Sequence, residues 1–327
     1  MSPALDVHLA GAWEGPLVAG LRGLLLPDVR LTSGPPPSPA AYEILVGGRP
    51  GPEALRASPR LQALVIPFAG VPAGTKESLA SLPGVAVHNL HHNAPAVAEM
   101  VVTLLLAAAK RIVPFDRALR CRDWSGRYRS DPSLLLEGKT ALVLGYGAVG
   151  RRVSRACRGL CMTPLAVRRL ARPGDTKGPD EVHPASDLGA LLPRAHALLV
   201  CLPRTPLTDG MIGEEELALL PPGAVLVNVG RGAIVREEAL YRALKEGRLA
   251  AAGLDVWYRY PNSEADAGDT APSAFPFHEL DNVVMSPHRA GHVSEDDELR
   301  MKALAELLNA AARGEPMPNR VDLEAGY

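Results

Sequence analysis

The run Thr140-Ala-Leu-Val-Leu-Gly-Tyr-Gly-Ala-Val-Gly-Arg-Arg-Val153 sets the frame for the rest of the chain. Ala141 to Leu144 form a short apolar run, as a parallel strand does when both of its faces are covered. Gly145, Gly147 and Gly150 follow, and helical periodicity then continues through Val153, Ala156 and Leu160. The order is strand, tight glycine turn, helix. Gly145 permits the turn, Gly147 lets the backbone approach a pyrophosphate, and Gly150 lets the helix sit close to the strand. The helix start offers unpaired N–H groups and the positive end of its dipole to phosphates. Glycines collect in any tight turn, so the spacing alone is weak. Between a strand and a helix it points to a dinucleotide, with a purely structural turn as the alternative.

Outward from this turn, residues 138–287 alternate strand and helix. Strands are expected at 164–167, 195–202, 224–229, 251–256 and 283–285, and helices at 188–192, 214–220 and 236–246. This is the pattern of a doubly wound parallel sheet. The first third reads as a small parallel α/β domain, with strands at 5–10, 42–46, 61–66 and 85–89. Helices are expected at 17–26, at 52–56 and after Pro72, with a proline-rich surface loop at 35–39. Residues 94–120, apolar and rich in alanine, read as one helix that must bury two sides. A domain crossing, a subunit interface or a core position within one domain would each satisfy it. Residues 294–313 read as a final helix.

A chain of 327 residues exceeds what one core usually serves, so two domains are expected. Apolar residues make up 47% and charged residues 22%, ordinary values for a soluble globular protein. The formal charge of −1 gives no electrostatic reason to expect nucleic acid or an anionic membrane as partner. No apolar run reaches membrane-spanning length, and no basic segment followed by an apolar one opens the chain, so a cytoplasmic protein is expected. Cys121, Cys157, Cys161 and Cys201 lack metal-ligand spacing and are expected to be structural thiols, with no metal site.

In a doubly wound sheet, ligand contacts lie just beyond strand C-termini, here 203–205, 230–232, 255–257 and 287–288. Arg231 follows its strand between Gly230 and Gly232, so its guanidinium meets little side-chain crowding. That planar fork of donors suits a carboxylate. His288 follows Pro287 at the end of the last strand and is a natural proton donor or acceptor near neutral pH. Each has an ordinary reading alone, as a surface arginine and a hydrogen-bonded histidine. Together with a nicotinamide hydride donor they are the parts needed to reduce a 2-oxo acid.

The order of Val97-Ala98-Glu99, Gly145-x-Gly147-x-x-Gly150, Pro203 to Thr208, Asn228-Val229-Gly230-Arg231-Gly232, Gly253-Leu254-Asp255-Val256 and Ser286-Pro287-His288 resembles the D-isomer-specific 2-hydroxyacid dehydrogenase family. The resemblance implies a Rossmann nucleotide domain, residues 109–291, inserted into a smaller flavodoxin-like substrate domain made of residues 1–108 and 292–327. It further implies a cleft between them and a homodimer. By motif position, Arg231 binds and polarises the substrate carboxylate, His288 is the general acid/base, and Ala69 and Gly70 offer backbone N–H groups to the substrate. The cofactor positions it implies are Tyr146, Gly147, Ala148, Val149, Arg168, Arg169, Leu202, Pro203, Thr208, Val229, Gly230, Arg231, Asp255 and His288, with Asp255 on the nicotinamide carboxamide. The implied activity is NAD(P)-dependent, of the glyoxylate/hydroxypyruvate-reductase kind. Two alternatives stay open: a dinucleotide-sensing regulatory protein with weakened catalysis, and superfamily chemistry on another hydride donor.

Two positions depart from the family pattern. A glutamate-proline pair usually charges and orients the histidine, and here it reads Tyr260-Pro261, with Glu264, Asp266 and Asp269 as candidate substitutes further along. An aspartate is common where this chain has Pro72. The cofactor preference is legible too. An acid about 20 residues past the glycine turn binds the ribose hydroxyls in NAD-dependent sheets. Here that strand ends Val167-Arg168-Arg169, and no acid occurs between Gly150 and Asp175, so NADP is expected over NAD.

Overall fold

The computed structural model describes residues 4–130, 132–169, 171 and 181–323. The chain divides into two compact units, Met1–Asn93 with Val293–Tyr327, and Ala94–His292.

The first unit runs β1 (Leu5–Ala10), α1 (Gly15–Leu24), β2 (Val29–Gly34), β3 (Ile44–Val46), α2 (Pro52–Ala57), β4 (Ala63–Ile66), α3 (Ala73–Leu79) and β5 (Ala86–Asn89). The five strands are parallel in the order β2-β1-β3-β4-β5, the flavodoxin-like arrangement. Side chains alternate across the sheet with a period of two. Val7, Leu9, Ile44, Val46, Ala63 and Val65 pack on one face against Leu21 and against Met301, Leu304 and Leu308 of the C-terminal helix Asp296–Ala312. Leu45, Leu64, Ile66 and Val87 pack on the other against Leu55 and Leu79. The chain therefore returns at its end to complete the core begun by its first residues. The edge strand β2 was not expected: Val-Arg-Leu-Thr-Ser alternates, but only one of its faces is partly covered, so its apolar signal is thin.

The second unit opens with α4 (Ala94–Ala109) and α5 (Ile112–Arg120). It continues through β6 (Thr140–Leu144), α6 (Ala148–Gly159), β7 (Thr163–Arg168), β8 (Glu181–Pro184), α7 (Leu188–Leu191), β9 (Ala197–Val200), α8 (Glu214–Leu219), β10 (Ala224–Asn228), α9 (Glu237–Lys245), β11 (Leu249–Leu254) and β12 (Val283–Met285). All seven strands are parallel, in the order β12-β11-β10-β9-β6-β7-β8. Leu142, Leu144, Leu165, Leu198 and Leu226 face one layer of helices, and Ala141, Val143, Ala166, Leu199 and Val227 the other. This is the Rossmann arrangement expected. The strand order reverses at β6 and β9, which is where such sheets receive ligands. The short edge strand β8 was not foreseen.

The apolar segment expected as one helix is two. Pro114 has no N–H for the Lys110 carbonyl and its ring would clash there. The helix accordingly breaks at Lys110 and Arg111, and Arg111 adopts φ 54°. The first piece also belongs elsewhere than expected. A domain boundary after residue 108 would leave α4 with the substrate domain, whereas the division falls at Asn93 and Ala94. Val101, Leu104, Leu105 and Ala108 are buried in the core of the second unit. A Cβ at Gly253 of β11 would sit 2.7 Å from the Leu104 Cβ, so helix and strand are packed as closely as glycine allows. Of the three roles left open for this segment, α4 takes the core position within one domain, with one face spent on its own sheet.

Candidate active site

The glycine turn joins β6 to α6, and its three glycines do different work. Gly145 has φ 99°, and a Cβ there would lie 2.9 Å from the Cys201 carbonyl oxygen at the end of β9. A Cβ at Gly150 would lie 1.8 Å from the Gly145 carbonyl oxygen, so no side chain fits under the helix start. Gly147 meets nothing within 4 Å. The outer two close the turn on itself, and the middle one faces open space. Gly147 is the residue before α6, and among the described residues no side chain caps that helix, so its first N–H groups have no described side-chain partner. These features fit a pyrophosphate.

Arg168 and Arg169 stand exposed at the C-terminal end of β7, after the buried run Pro164 to Val167. Asp175 lies outside the described residues. Beyond β9, Thr208 Oγ1 accepts the Thr205 N–H at 2.8 Å and donates to the Pro203 carbonyl at 2.7 Å, folding the loop that carries Leu202, Pro203 and Thr208. Cys157 and Cys201 are pushed up to about 12 by burial, which suits inert thiols. Among the described residues no group of histidine, cysteine and carboxylate side chains forms a metal site.

Arg231 follows β10, and its carrier loop is built by Asn228, which is 1% exposed. The Asn228 amide accepts the Gly230 N–H at 3.0 Å and donates to the Arg231 carbonyl at 3.0 Å. A Cβ at Gly230 would meet the Leu202 carbonyl oxygen at 2.4 Å, and one at Gly232 the Trp257 carbonyl oxygen at 2.3 Å. The backbone on both sides of Arg231 is therefore locked, while its side chain is exposed and donates from Nη1 to the Gly230 carbonyl at 2.7 Å.

Asp255 is fully buried at the end of β11, and its carboxylate holds the loop that bears His288. Oδ1 accepts the Ser286 hydroxyl at 2.5 Å and the Arg289 N–H at 2.9 Å, and Oδ2 accepts the Ala290 N–H at 3.1 Å. These take three of the roughly four acceptor sites of a carboxylate. Trp257 Nε1 adds a brace by donating to the Ser286 carbonyl at 2.8 Å. His288 itself adopts φ 58°, a left-handed conformation uncommon outside glycine, and it presents the imidazole at the loop surface. Desolvation lowers the His288 pKa below 6.5, and the neighbouring Arg231 charge lowers it further. Asp255 opposes them, and His292 adds a smaller push downward.

Tyr260 packs against His288, with ring centroids 5.5 Å apart and planes tilted by 55°. Its Oη accepts the Trp257 N–H at 3.1 Å. The candidate substitutes for the missing glutamate lie elsewhere in effect. The charges that act on His288 are those of Arg231, Asp255 and His292, and the Asp266 carboxylate accepts the Ser263 hydroxyl at 2.9 Å within its own loop.

Ala69 and Gly70 belong to the first unit, just past β4. Asn89 Nδ2 donates to the Ala69 carbonyl at 2.6 Å, which fixes the peptide whose N–H belongs to Gly70. A cavity of about 660 Å³ opens in the same unit past the ends of β1, β2 and β3, lined mainly by glycine, alanine and proline, with Arg49 its single charged residue. Arg49 and Asn89 did not stand out in the sequence, and Asn228 entered there only as the first residue of the Asn228 to Gly232 motif. The two asparagines carried a signal nonetheless, each a polar residue closing a buried strand just before a loop.

Residues 102–290 match the family described as D-isomer specific 2-hydroxyacid dehydrogenase, NAD binding domain. The chain belongs to the D-isomer specific 2-hydroxyacid dehydrogenase family. Among relatives within that family, the glyoxylate reductase of Thermococcus litoralis is 31% identical over 324 residues, covering 95% of this chain and 89% of that protein. The glyoxylate/hydroxypyruvate reductase B of Pectobacterium carotovorum is 33% identical over 279 residues, with 84% and 83% covered. A D-isomer specific 2-hydroxyacid dehydrogenase from Xanthobacter autotrophicus, solved in complex with NADPH and MES, superposes with a TM-score of 0.79 at 25% identity, and the match covers 100% of both chains.

Proposed function

We propose that this protein is an NADP-dependent reductase of small 2-oxo acids, of the glyoxylate/hydroxypyruvate-reductase kind. The observation that carries the reading is the pairing of Arg231 with His288. They stand at the ends of two strands of one parallel sheet, on the edge that also holds the glycine turn, and close enough for the guanidinium to depress the imidazole pKa. Arg231 holds the substrate carboxylate. His288 as imidazolium gives its proton to the carbonyl oxygen while the carbonyl carbon takes up hydride, and the C=O π pair becomes the new O–H bond. A bound nicotinamide dinucleotide supplies that hydride. Asp255 and Trp257 hold the His288 loop against the sheet, so the proton is presented from a fixed position. Gly147 and the start of α6, with Tyr146, Ala148 and Val149 beside them, would hold the pyrophosphate of that cofactor. Leu202, Pro203, Thr208, Val229 and Gly230, at and beyond the ends of β9 and β10, would complete the cofactor site. The test is consumption of NADPH with glyoxylate, hydroxypyruvate, pyruvate and a bulky aromatic 2-oxo acid. Turnover of at least one small acid is expected. Tight NADPH binding with no turnover of any would favour a dinucleotide-sensing protein, the reading that Tyr260 in place of glutamate supports.

Preference for NADP rests on Arg168 and Arg169, two exposed cations where an acid would repel a 2′-phosphate. A charge-assisted hydrogen bond contributes about 1.5–3 kcal/mol, so Arg168→Ala is expected to lower the NADPH-over-NADH ratio of kcat/KM about tenfold to a hundredfold. An unchanged ratio would place the discrimination elsewhere.

The assembly we propose is a homodimer. Its support is the run after α4, where Ile112, Leu119, Trp124, Tyr128 and Leu135 are all at least 49% exposed and no residue of α5 is buried. Large apolar side chains left exposed in this way are what a subunit contact covers. Light scattering at micromolar concentration is expected to give twice the chain mass, and Trp124→Glu with Leu119→Glu to halve it. A wild-type monomer would refute the dimer. We also place the protein in the cytoplasm. No helix among the described residues is long and apolar enough to cross a membrane, and the fractionation of a tagged copy is the check.

A further inference from the structure

Tyr260 stands where the family pattern has a carboxylate, and its surroundings give the phenol a use of its own. A phenol has one O–H donor and acceptor capacity besides. The acceptor side is engaged by the Trp257 N–H at 3.1 Å, which ties Oη to the end of β11. The donor side goes to no described residue, and the side chain is 45% exposed. Around it stand the His288 ring, with centroids 5.5 Å apart, and the Arg231 charge. A donor is thus held in place, unspent, beside both the carboxylate clamp and the proton donor.

We infer that Tyr260 is a catalytic residue whose hydroxyl donates a hydrogen bond to the substrate carbonyl oxygen, the atom on which negative charge develops during reduction. The inference rests on the 2-oxo acid reading above and deepens it. A fixed donor aimed at a developing alkoxide stabilises the transition state more than the ground state, because the oxygen is a stronger acceptor once the π pair has moved onto it. The phenol keeps its own proton and the new O–H bond takes the imidazolium proton, so the reaction balances as before. Burial raises the Tyr260 pKa above 10, with the Trp257 hydrogen bond and Arg231 opposing, so the phenol stays a donor across the working range. It supplies hydrogen bonding to the substrate oxygen where the family glutamate supplies charge to the imidazole.

The alternative is that Tyr260 only props the loop through Trp257. Tyr260→Phe separates the two when turnover is combined with inhibition by oxamate, whose amide carbonyl stands where the 2-oxo group does, and by propionate, which has the carboxylate alone. The expected result is a fall in kcat for glyoxylate of about tenfold to a hundredfold with KM within about threefold. Oxamate inhibition is expected to weaken roughly tenfold, as for a lost hydrogen bond of about 1.4 kcal/mol, and propionate inhibition to stay unchanged. The pH at which reduction falls off is also expected to stay put. A kcat within about threefold of wild type would overturn the inference. So would equal weakening of oxamate and propionate, the mark of a displaced loop. A wild-type protein that reduces no 2-oxo acid would overturn the proposed function and this inference with it. An active wild type with an indifferent Tyr260→Phe would overturn the inference alone.

Discussion

Replacing Arg231 with lysine is expected to lower kcat/KM for glyoxylate by roughly a hundredfold, with KM raised and kcat reduced together. Lysine keeps the charge, so long-range attraction for the carboxylate survives. The planar fork does not survive, and with it goes the pair of parallel N–H donors that fixes the carboxylate in one plane. One charge-assisted hydrogen bond contributes about 1.5–3 kcal/mol, which converts to about tenfold to more than a hundredfold. The loss falls on kcat as well as KM, because a carboxylate that swings also swings the carbonyl away from His288. The scaffold has little means to compensate. The peptides on either side of Arg231 are packed against the Leu202 and Trp257 carbonyls at distances only glycine tolerates, and Asn228 ties the loop from beneath. The conservative change is informative for a second reason: it leaves the positive charge beside His288, so the pH dependence should not move while the amplitude falls. Near-native kinetics would mean that the substrate carboxylate is held elsewhere.

The site was legible wherever one residue type is forced by local geometry. Gly145, Gly150, Gly230 and Gly232 each occupy a position where a Cβ would strike a main-chain carbonyl group, so glycine at those places is a record of the contact itself. Strand ends were legible because a buried parallel strand is a run of apolar residues that stops abruptly, as Ala224 to Val227 does at Asn228, just before Gly230 and Arg231. What escaped were relations between distant residues. Asp255 reads as a strand-end carboxylate free for a ligand, yet it accepts hydrogen bonds from residues 31 to 35 positions away. The boundary between the units was misplaced for the same reason. That α4 packs with the second unit depends on Leu104 meeting Gly253, a pairing with no local signature. The break after α4 was different, since Pro114 announces it locally and the surrounding apolar residues obscured it. The edge strands β2 and β8 escaped because an edge position leaves much of the strand uncovered, and the periodic signal weakens with it.

Reduction of 2-oxo acids by the wild-type protein is expected to decline as pH rises, along a limb lying below the 6.5 of an ordinary imidazole, and Tyr260→Glu is expected to move that limb upward by about one to three pH units. The sign follows from the proton. Reduction consumes imidazolium, and the His288 pKa is lowered by desolvation and by Arg231, so the competent form is depleted before neutrality is reached. The reverse reaction needs neutral imidazole and should rise along the same limb and then level off. Among the described residues Asp255 is the single carboxylate that favours the charged ring, and it is already committed to the Ser286, Arg289 and Ala290 contacts. A glutamate at position 260, where the tyrosine ring now packs against His288, adds a negative charge beside the imidazole and stabilises its charged form. About 1.4 kcal/mol of such stabilisation moves the limb by roughly one pH unit, and at about pH 7.5 that raises the imidazolium fraction close to tenfold. The height of the profile is a separate quantity. An ionised glutamate has no O–H to offer the substrate, so the plateau of Tyr260→Glu should fall even as its limb moves to higher pH. Measured from about pH 5 to 9 for both proteins, a wild-type limb well above about pH 8 that the substitution leaves unmoved would mean that His288 has another acidic partner, and that the exchange of glutamate for tyrosine carries no consequence for proton delivery.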